Sequence, residues 1–397
     1  MRFDRLVAVL LLACLGLSAA VPEGKADELG FSKERLTRIH QTIQQHIDSK
    51  QIAGAVTLVA RKGKIANFEA HGAFDLESNK PMAKNSVFRI WSMSKPVAGV
   101  AILMLLEEGK LRLNDPVSKF IPEFKNMKVK SSIALTREIN VQDLLTHVSG
   151  LGSDPATSVQ GAISLRQGEE GLNTYIPKFG ATPLAFQPGS QWAYSPLMAF
   201  DTLGRIVEVA SGLDFNQFLK TRLFEPLGMK DTFFHPGDQG WPRVVTAYHR
   251  KDNQLEKTAN PNWIASKTYF SGAGGLMSTA EDYLQFAEML LEGGKLNGKR
   301  ILSPKTVDLM ASVFVPDTLP GRAPGRGFGL SVQVVSDPVA AGMRVSKGSY
   351  GWDGAYGTHF WIDPVEKIVG ILMIQTDNPN RQLDRDFENA VMQAIVD

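Results

Sequence analysis

Residues 97–106 carry no polar side chain, and a helix built from them is apolar on every face. Such a helix belongs in the interior, with the rest of the chain wrapped around it. Immediately ahead of it stands Ser92-Met93-Ser94-Lys95-Pro96. Ser92 and Lys95 are three residues apart and share one helical face at the mouth of the buried element. A serine hydroxyl attacks poorly until a neighbouring base takes its proton, and a lysine does that only where burial or nearby cations favour the neutral amine. S-x-x-K is a short pattern that also describes a serine N-cap with a solvated lysine in the first turn. The apolar run separates the two readings, because a capped surface helix would show a polar face.

The 397 residues are 43% hydrophobic and 21% charged, enough for a large core and unlike a disordered chain. The net charge of +2 gives no pull toward nucleic acid or lipid. The N-terminus reads as an export signal: Arg2 and Arg5 precede apolar residues 6–17, and Ser18-Ala19-Ala20 offers small residues for cleavage near Ala20. The mature chain is then expected to be periplasmic or secreted. The sole cysteine, Cys14, lies within that segment, so the mature chain folds without thiol or disulfide. Residues 11–14 loosely match a lipid-attachment box, but the apolar residues beyond Cys14 favour ordinary cleavage. No other apolar run is long enough to span a membrane.

In chain order, Leu36, Ile39, Ile43 and Ile47 recur at helical spacing behind a Ser32 N-cap. Residues 55–60 and 65–71 are β-rich runs joined across residues 61–64, a hairpin signal. The Ser92 helix ends at Gly109, a residue suited to a C′ position. Residues 110–300 read as mainly helical, with helices at 141–145, 196–210 closed by Gly212, 215–224 and 279–291, the last with Thr279 and Asp282 at its start. Strands return at 327–335, 358–363 and 367–376, before a closing helix from Leu383. The expected fold class is α+β, an antiparallel sheet built from both terminal segments and flanked by helices, with a mainly helical region inserted. The expected domains are a signal over 1–20 and one domain over 21–397, its α/β part being 24–110 and 300–397 and its helical part 111–299. Residues 153–183 and 316–327 read as long loops of the sort that form lids or binding walls.

A serine–lysine pair needs a third group to pass the proton to the leaving atom. Tyr194, at a turn directly before a helix, is a candidate, since a phenol that titrates near about 10 becomes a useful base beside a lysinium. Such protons belong to the pair rather than to either residue. Residues 349–357 hold three glycines before a strand, as a close backbone approach or a bulged strand entry requires. If that edge faces Ser92, the amides of Ser92 and Ala355 can hold a developing oxyanion. The seven histidines show neither H-E-x-x-H nor another paired ligand spacing, so no metal site and no cofactor are indicated. The absence of G-x-S-x-G counts against a nucleophile elbow.

These separated pieces, taken together, resemble the serine β-lactamase and penicillin-binding-protein superfamily, most closely the class C β-lactamase-like branch that includes family VIII carboxylesterases. The resemblance rests on Ser92-Met93-Ser94-Lys95-Pro96, residues 144–151, Pro188-Gly189-Ser190 with Trp192, Tyr194 and Ser195, residues 274–282, and Trp352-Asp353-Gly354-Ala355-Tyr356-Gly357-Thr358. It implies a β-lactamase/transpeptidase-like fold, Ser92 as acylated nucleophile, Lys95 and Tyr194 as acid/base partners, and Ser92 and Ala355 as oxyanion donors. Trp352, Asp353 and Gly354 would line the substrate, and His147 would be a core histidine. Two departures stand out. Pro196 occupies the place of the Tyr-x-Asn asparagine, and Trp352-Asp353-Gly354 stands where β-lactamases carry Lys-Thr-Gly. Both shift the expectation from amides to neutral, lipophilic carboxylic esters, with a D,D-peptidase, a weak β-lactamase or an acyltransferase of the same fold as alternatives.

Overall fold

A computed structural model describes residues 20–259, 266–377 and 382–397; Cys14 and most of the expected export signal lie outside them. Helix α1 (Lys33–Asp48) starts where the Ser32 hydroxyl accepts the Arg35 amide at 3.2 Å, and it buries Leu36, Ile39 and Ile43. Strands β1 (Gly54–Arg61) and β2 (Lys64–Asp75) form the expected hairpin. Its turn residues Lys62 and Gly63 both take positive φ, 54° and 75°, the turn geometry that matches the twist of paired strands. Helix α2 (Ser94–Glu107) is buried from Ser94 through Leu105, as its unbroken apolar run requires.

One eight-stranded sheet organises the molecule. Besides β1 and β2 it contains β3 (Lys80–Pro81), β4 (Arg326–Phe328), β5 (Gln333–Val335), β6 (Tyr350–Asp353), β7 (His359–Asp363) and β8 (Ile368–Met373). The order is β4-β5-β6-β7-β8-β1-β2-β3, with every neighbouring pair antiparallel. The two ends of the chain meet where β1 pairs with β8, from Val56 opposite Met373 to Arg61 opposite Ile368. Strand β1 is buried along its whole length because both faces are covered. Val56, Leu58 and Ala60 join a core with α2, α3 (Met198–Ser211) and α4 (Ala280–Leu291). Ala55 and Val59 join a second core under α1 and α5 (Leu383–Met392).

Three sequence expectations are corrected. Residues 327–335 are two strands, β4 and β5, reversed over a turn in which the Gly329 amide donates to the Val332 carbonyl at 2.8 Å and Ser331 takes a φ of 75°. Tyr350–Asp353 is itself a strand rather than the approach to one. Residues 153–183 contain the short helical segments Val159–Leu165, Leu172–Tyr175 and Ile176–Ala181, pinned by the Tyr175 hydroxyl donating to the Ala162 carbonyl at 2.8 Å. Each is too short to leave a periodic trace. Among the described residues no helix is long and apolar enough to cross a membrane.

Candidate active site

Ser92 sits in a tight 3-10 turn, Trp91–Met93, that feeds directly into α2. Trp91 takes a φ of 46°, a costly conformation for a bulky residue, which the surrounding structure holds. On one side the preceding segment pairs with Met277–Ser278, and Ile90 donates its amide to Leu276 at 3.1 Å. On the other, the Thr358 hydroxyl donates to the Ile90 carbonyl at 3.2 Å. The indole of Trp91 packs against Tyr356 with ring centroids 4.8 Å apart.

Lys95 is fully buried, one turn into α2. Its Nζ lies 3.1 Å from Ser92 Oγ and donates to the carbonyls of Pro196 and Ala273, both at 2.8 Å. Two fixed carbonyls thus aim the remaining direction of the amine at the serine. The Tyr194 hydroxyl meets Ser92 Oγ at 2.6 Å. The three residues that sequence reading grouped therefore converge on one oxygen, although Tyr194 is 102 positions from Ser92.

His147 fixes the tyrosine. Its carbonyl accepts the Ala193 amide and its Nδ1 accepts the Ser195 amide, each at 3.1 Å, so it brackets Tyr194 from both sides in sequence. Its ring lies 4.7 Å from the Tyr194 ring and also meets Trp192, Phe200, Phe328 and Trp352. Burial, with the charges of Lys95 and Arg322 added, holds the imidazole well below its ordinary pKa, so Nδ1 is available as an acceptor. The short helix Val141–Leu145 that delivers His147 is secured by an Asn140–Asp143 capping box, with Arg137 gripping the Asp143 carboxylate at 2.5 and 2.8 Å.

Asp201, which sequence reading passed over, supports the lysine at one remove. Buried on α3, it accepts the Ala273 amide at 3.1 Å, the Ser271 hydroxyl at 2.7 Å and the Tyr269 hydroxyl. It thereby fixes the residue whose carbonyl holds Lys95. Burial pushes its carboxyl pKa up, against the pull of those hydrogen bonds and of Lys95. The available signal was an acid among Met198, Ala199, Phe200, Thr202 and Leu203, where a buried face expects none.

The glycine-rich segment behaves as two halves. Gly354 donates its amide to Thr358 at 2.7 Å, and a Cβ there would fall 2.6 Å from the Ile90 carbonyl, so only glycine lets this turn close on the segment that leads into Ser92. Ala355, the next residue, is exposed at that same turn. Trp352 faces the site, its ring 5.6 Å from Tyr194 and 5.2 Å from Phe328. Asp353 does not. Strand alternation turns it to the opposite face of the sheet, where its Oδ1 lies 2.5 Å from His359 Nδ1, while His359 Nε2 meets Glu388 Oε1 on α5 at 3.1 Å. The expected substrate contact at Asp353 is therefore replaced by an acid–imidazole–acid array in which His359 and Glu388 are buried and Asp353 is partly exposed. Of residues 316–327, expected as a loop, Arg326 and Gly327 belong to β4, and the rest packs on Trp192: the Trp192 amide donates to the Pro320 carbonyl at 2.9 Å, and the Arg322 guanidinium lies 4.4 Å from the Trp192 ring centroid.

Residues 39–394 match the family model described as Beta-lactamase. This chain belongs to the beta-lactamase family. Among family members it is similar to Protein Rv1367c of Mycobacterium tuberculosis, at 34% identity over 84% of this chain and 88% of that protein. It is similar to Esterase EstB of Burkholderia gladioli at 30% identity, covering 86% of this chain and 90% of that one. Among solved structures it resembles EstCE1, a hydrolase with promiscuous acyltransferase activity, with a TM-score of 0.82 and 28% identity over 90% of this chain and 99% of that chain. This member of the family is a serine hydrolase with the β-lactamase/transpeptidase fold.

Proposed function

We propose that this protein hydrolyses carboxylic esters through an acyl-enzyme on Ser92. The observation that carries the reading is the meeting of a buried amine and a phenol on Ser92 Oγ, at 3.1 and 2.6 Å, beside an aromatic wall of Trp192, Phe328 and Trp352. The Ser92 proton passes to the Lys95–Tyr194 pair as Oγ attacks the acyl carbon. The amides of Ser92 and Ala355 receive the oxyanion, and the pair returns the proton to the departing alkoxide. Water then repeats the sequence on the acyl-enzyme, and the acid leaves. A tryptophan rather than a cation at position 352 suits an uncharged acyl or alcohol group. The esterase name of one relative points the same way.

The test sets p-nitrophenyl butyrate and alkyl esters of graded length beside nitrocefin and a D-Ala-D-Ala peptide. Ester turnover should dominate, and Ser92→Ala should lose several powers of ten, because nucleophile, base and oxyanion donors act as one unit. Retained activity in Ser92→Ala, or nitrocefin turnover equal to ester turnover, would overturn the proposal. Adding an alcohol to the assay checks a second reading, acyl transfer, favoured by the acyltransferase activity ascribed to EstCE1.

A further inference from the structure

On β2, Phe68 and Ala70 pack into the core that holds α2, so Asn67, Glu69 and His71 point to the opposite face, the one covered by α1. There His40, from α1, meets Glu69: His40 Nδ1 lies 3.0 Å from Glu69 Oε2. One ligand atom from each of His40, Glu69 and His71 lies within 4.8 Å of the other two. His71 is 3% exposed, and its Nε2 faces the Thr57 hydroxyl at 3.0 Å. Its Nδ1 is buried and has no hydrogen-bond partner. A buried nitrogen of this kind costs free energy unless something occupies its lone pair.

We propose that His40, Glu69 and His71 bind a divalent transition-metal ion, with zinc the best match, which staples α1 to the sheet on the face away from Ser92. Two imidazole nitrogens and one carboxylate oxygen form a three-ligand set that leaves a fourth position for water. The surrounding residues already orient the ligand atoms. Thr57, taking the Nε2 proton of His71, leaves the lone pair on Nδ1. Asn67 donates to Glu69 Oε1 at 2.6 Å and so leaves Oε2 for the ion. The ion would replace the proton now shared between His40 Nδ1 and Glu69 Oε2. Tetrahedral zinc holds its ligand atoms about 3.3 Å apart, so a cluster whose atoms lie within 4.8 Å of one another closes by at most about 1.5 Å, and His40, 54% exposed, can make that adjustment. A groove of about 630 Å³, lined by Leu36, Thr37, Asn67 and Glu69, gives the ion access to the carboxylate. Sequence spacing hid the site because its ligands come from a helix position and an i, i+2 pair on a strand.

The experiment titrates Zn²⁺ into tag-free, chelator-stripped full-length protein against a chromogenic chelator, with Co²⁺ absorption reporting coordination geometry. The expected result is one equivalent bound, a tetrahedral Co²⁺ spectrum and a melting temperature raised by Zn²⁺ but not by Mg²⁺. His40→Ala and Glu69→Gln change half-exposed side chains, and each should weaken binding at least tenfold while leaving metal-free ester turnover unchanged. Lack of a one-equivalent site in the unmodified protein, or binding undiminished in both variants, would overturn the proposal.

Discussion

Replacing Tyr194 with phenylalanine removes one oxygen and leaves the ring. That ring lies 4.7 Å from His147 and 5.6 Å from Trp352 by centroid, and both contacts survive the change. The lost bond is the 2.6 Å contact to Ser92 Oγ. A half-buried hydroxyl is worth about 1 kcal/mol to folding, so Tyr194→Phe should melt within a few degrees of the unmodified protein. Catalysis should suffer far more. A positioned acid/base group supplies roughly 10²–10⁴ in rate, or about 3–5 kcal/mol of barrier. Lys95 remains 3.1 Å from the serine, but its other two contacts tie it to carbonyls, so it replaces the phenol only in part. The deficit should depend on the leaving group: a nitrophenolate departs without a proton, whereas an alkoxide needs one. The assay is kcat/KM for p-nitrophenyl butyrate and for an alkyl butyrate, with near-ultraviolet circular dichroism as the fold control. If Tyr194→Phe stays within tenfold of the parent on the alkyl ester while Ser92→Ala is dead, the phenol is packing and the proton route runs through Lys95 alone.

Two further predictions concern stability. A Cβ at Gly99 would fall 2.7 Å from Ser331 Cβ, so Gly99→Ala should cost about 1–3 kcal/mol from overpacking, less about 1 kcal/mol of helix propensity gained. Ser331→Gly should restore it, since glycine suits the φ of 75° and clears the space; urea midpoints decide, and a Gly99→Ala protein as stable as its parent refutes the contact. Burial alone would depress the His359 pKa, but the Asp353 and Glu388 carboxylates outweigh it and hold the imidazole well above its ordinary value. A raised pKa means protonation favours the fold: this contribution is complete below about pH 6.5 and fades as pH climbs through the folded value. The melting-temperature gap between the parent and His359→Gln should therefore narrow with rising pH, and a gap constant from pH 6 to 10 would contradict that.

The parts of the molecule legible in the sequence are those whose signal is local. The apolar run placed α2 in the interior, Ser32 and Thr279 marked their helices through side-chain caps, and the hairpin signal across residues 61–64 placed the first hairpin. Motif order brought Ser92, Lys95 and Tyr194 into one reading, and they do meet. Three kinds of information were out of reach. Asp353 was assigned by its place in a motif, and strand alternation sends it through the sheet to His359. The β4–β5 reversal depends on Ser331 adopting a left-handed backbone, which a serine does not advertise. The carbonyls of Pro196 and Ala273 that hold Lys95 are backbone atoms, and no side-chain pattern encodes where they end up.

Those two carbonyls have a consequence for when the protein can work. They come from positions 101 and 178 residues downstream of the lysine they hold. On the proposed mechanism, a chain that has not yet docked both segments possesses the serine but lacks the positioned amine that helps to activate it. On the same mechanism, reactivity at Ser92 is a late product of folding, and labelling by a fluorophosphonate should report completion of the native state rather than mere presence of the polypeptide.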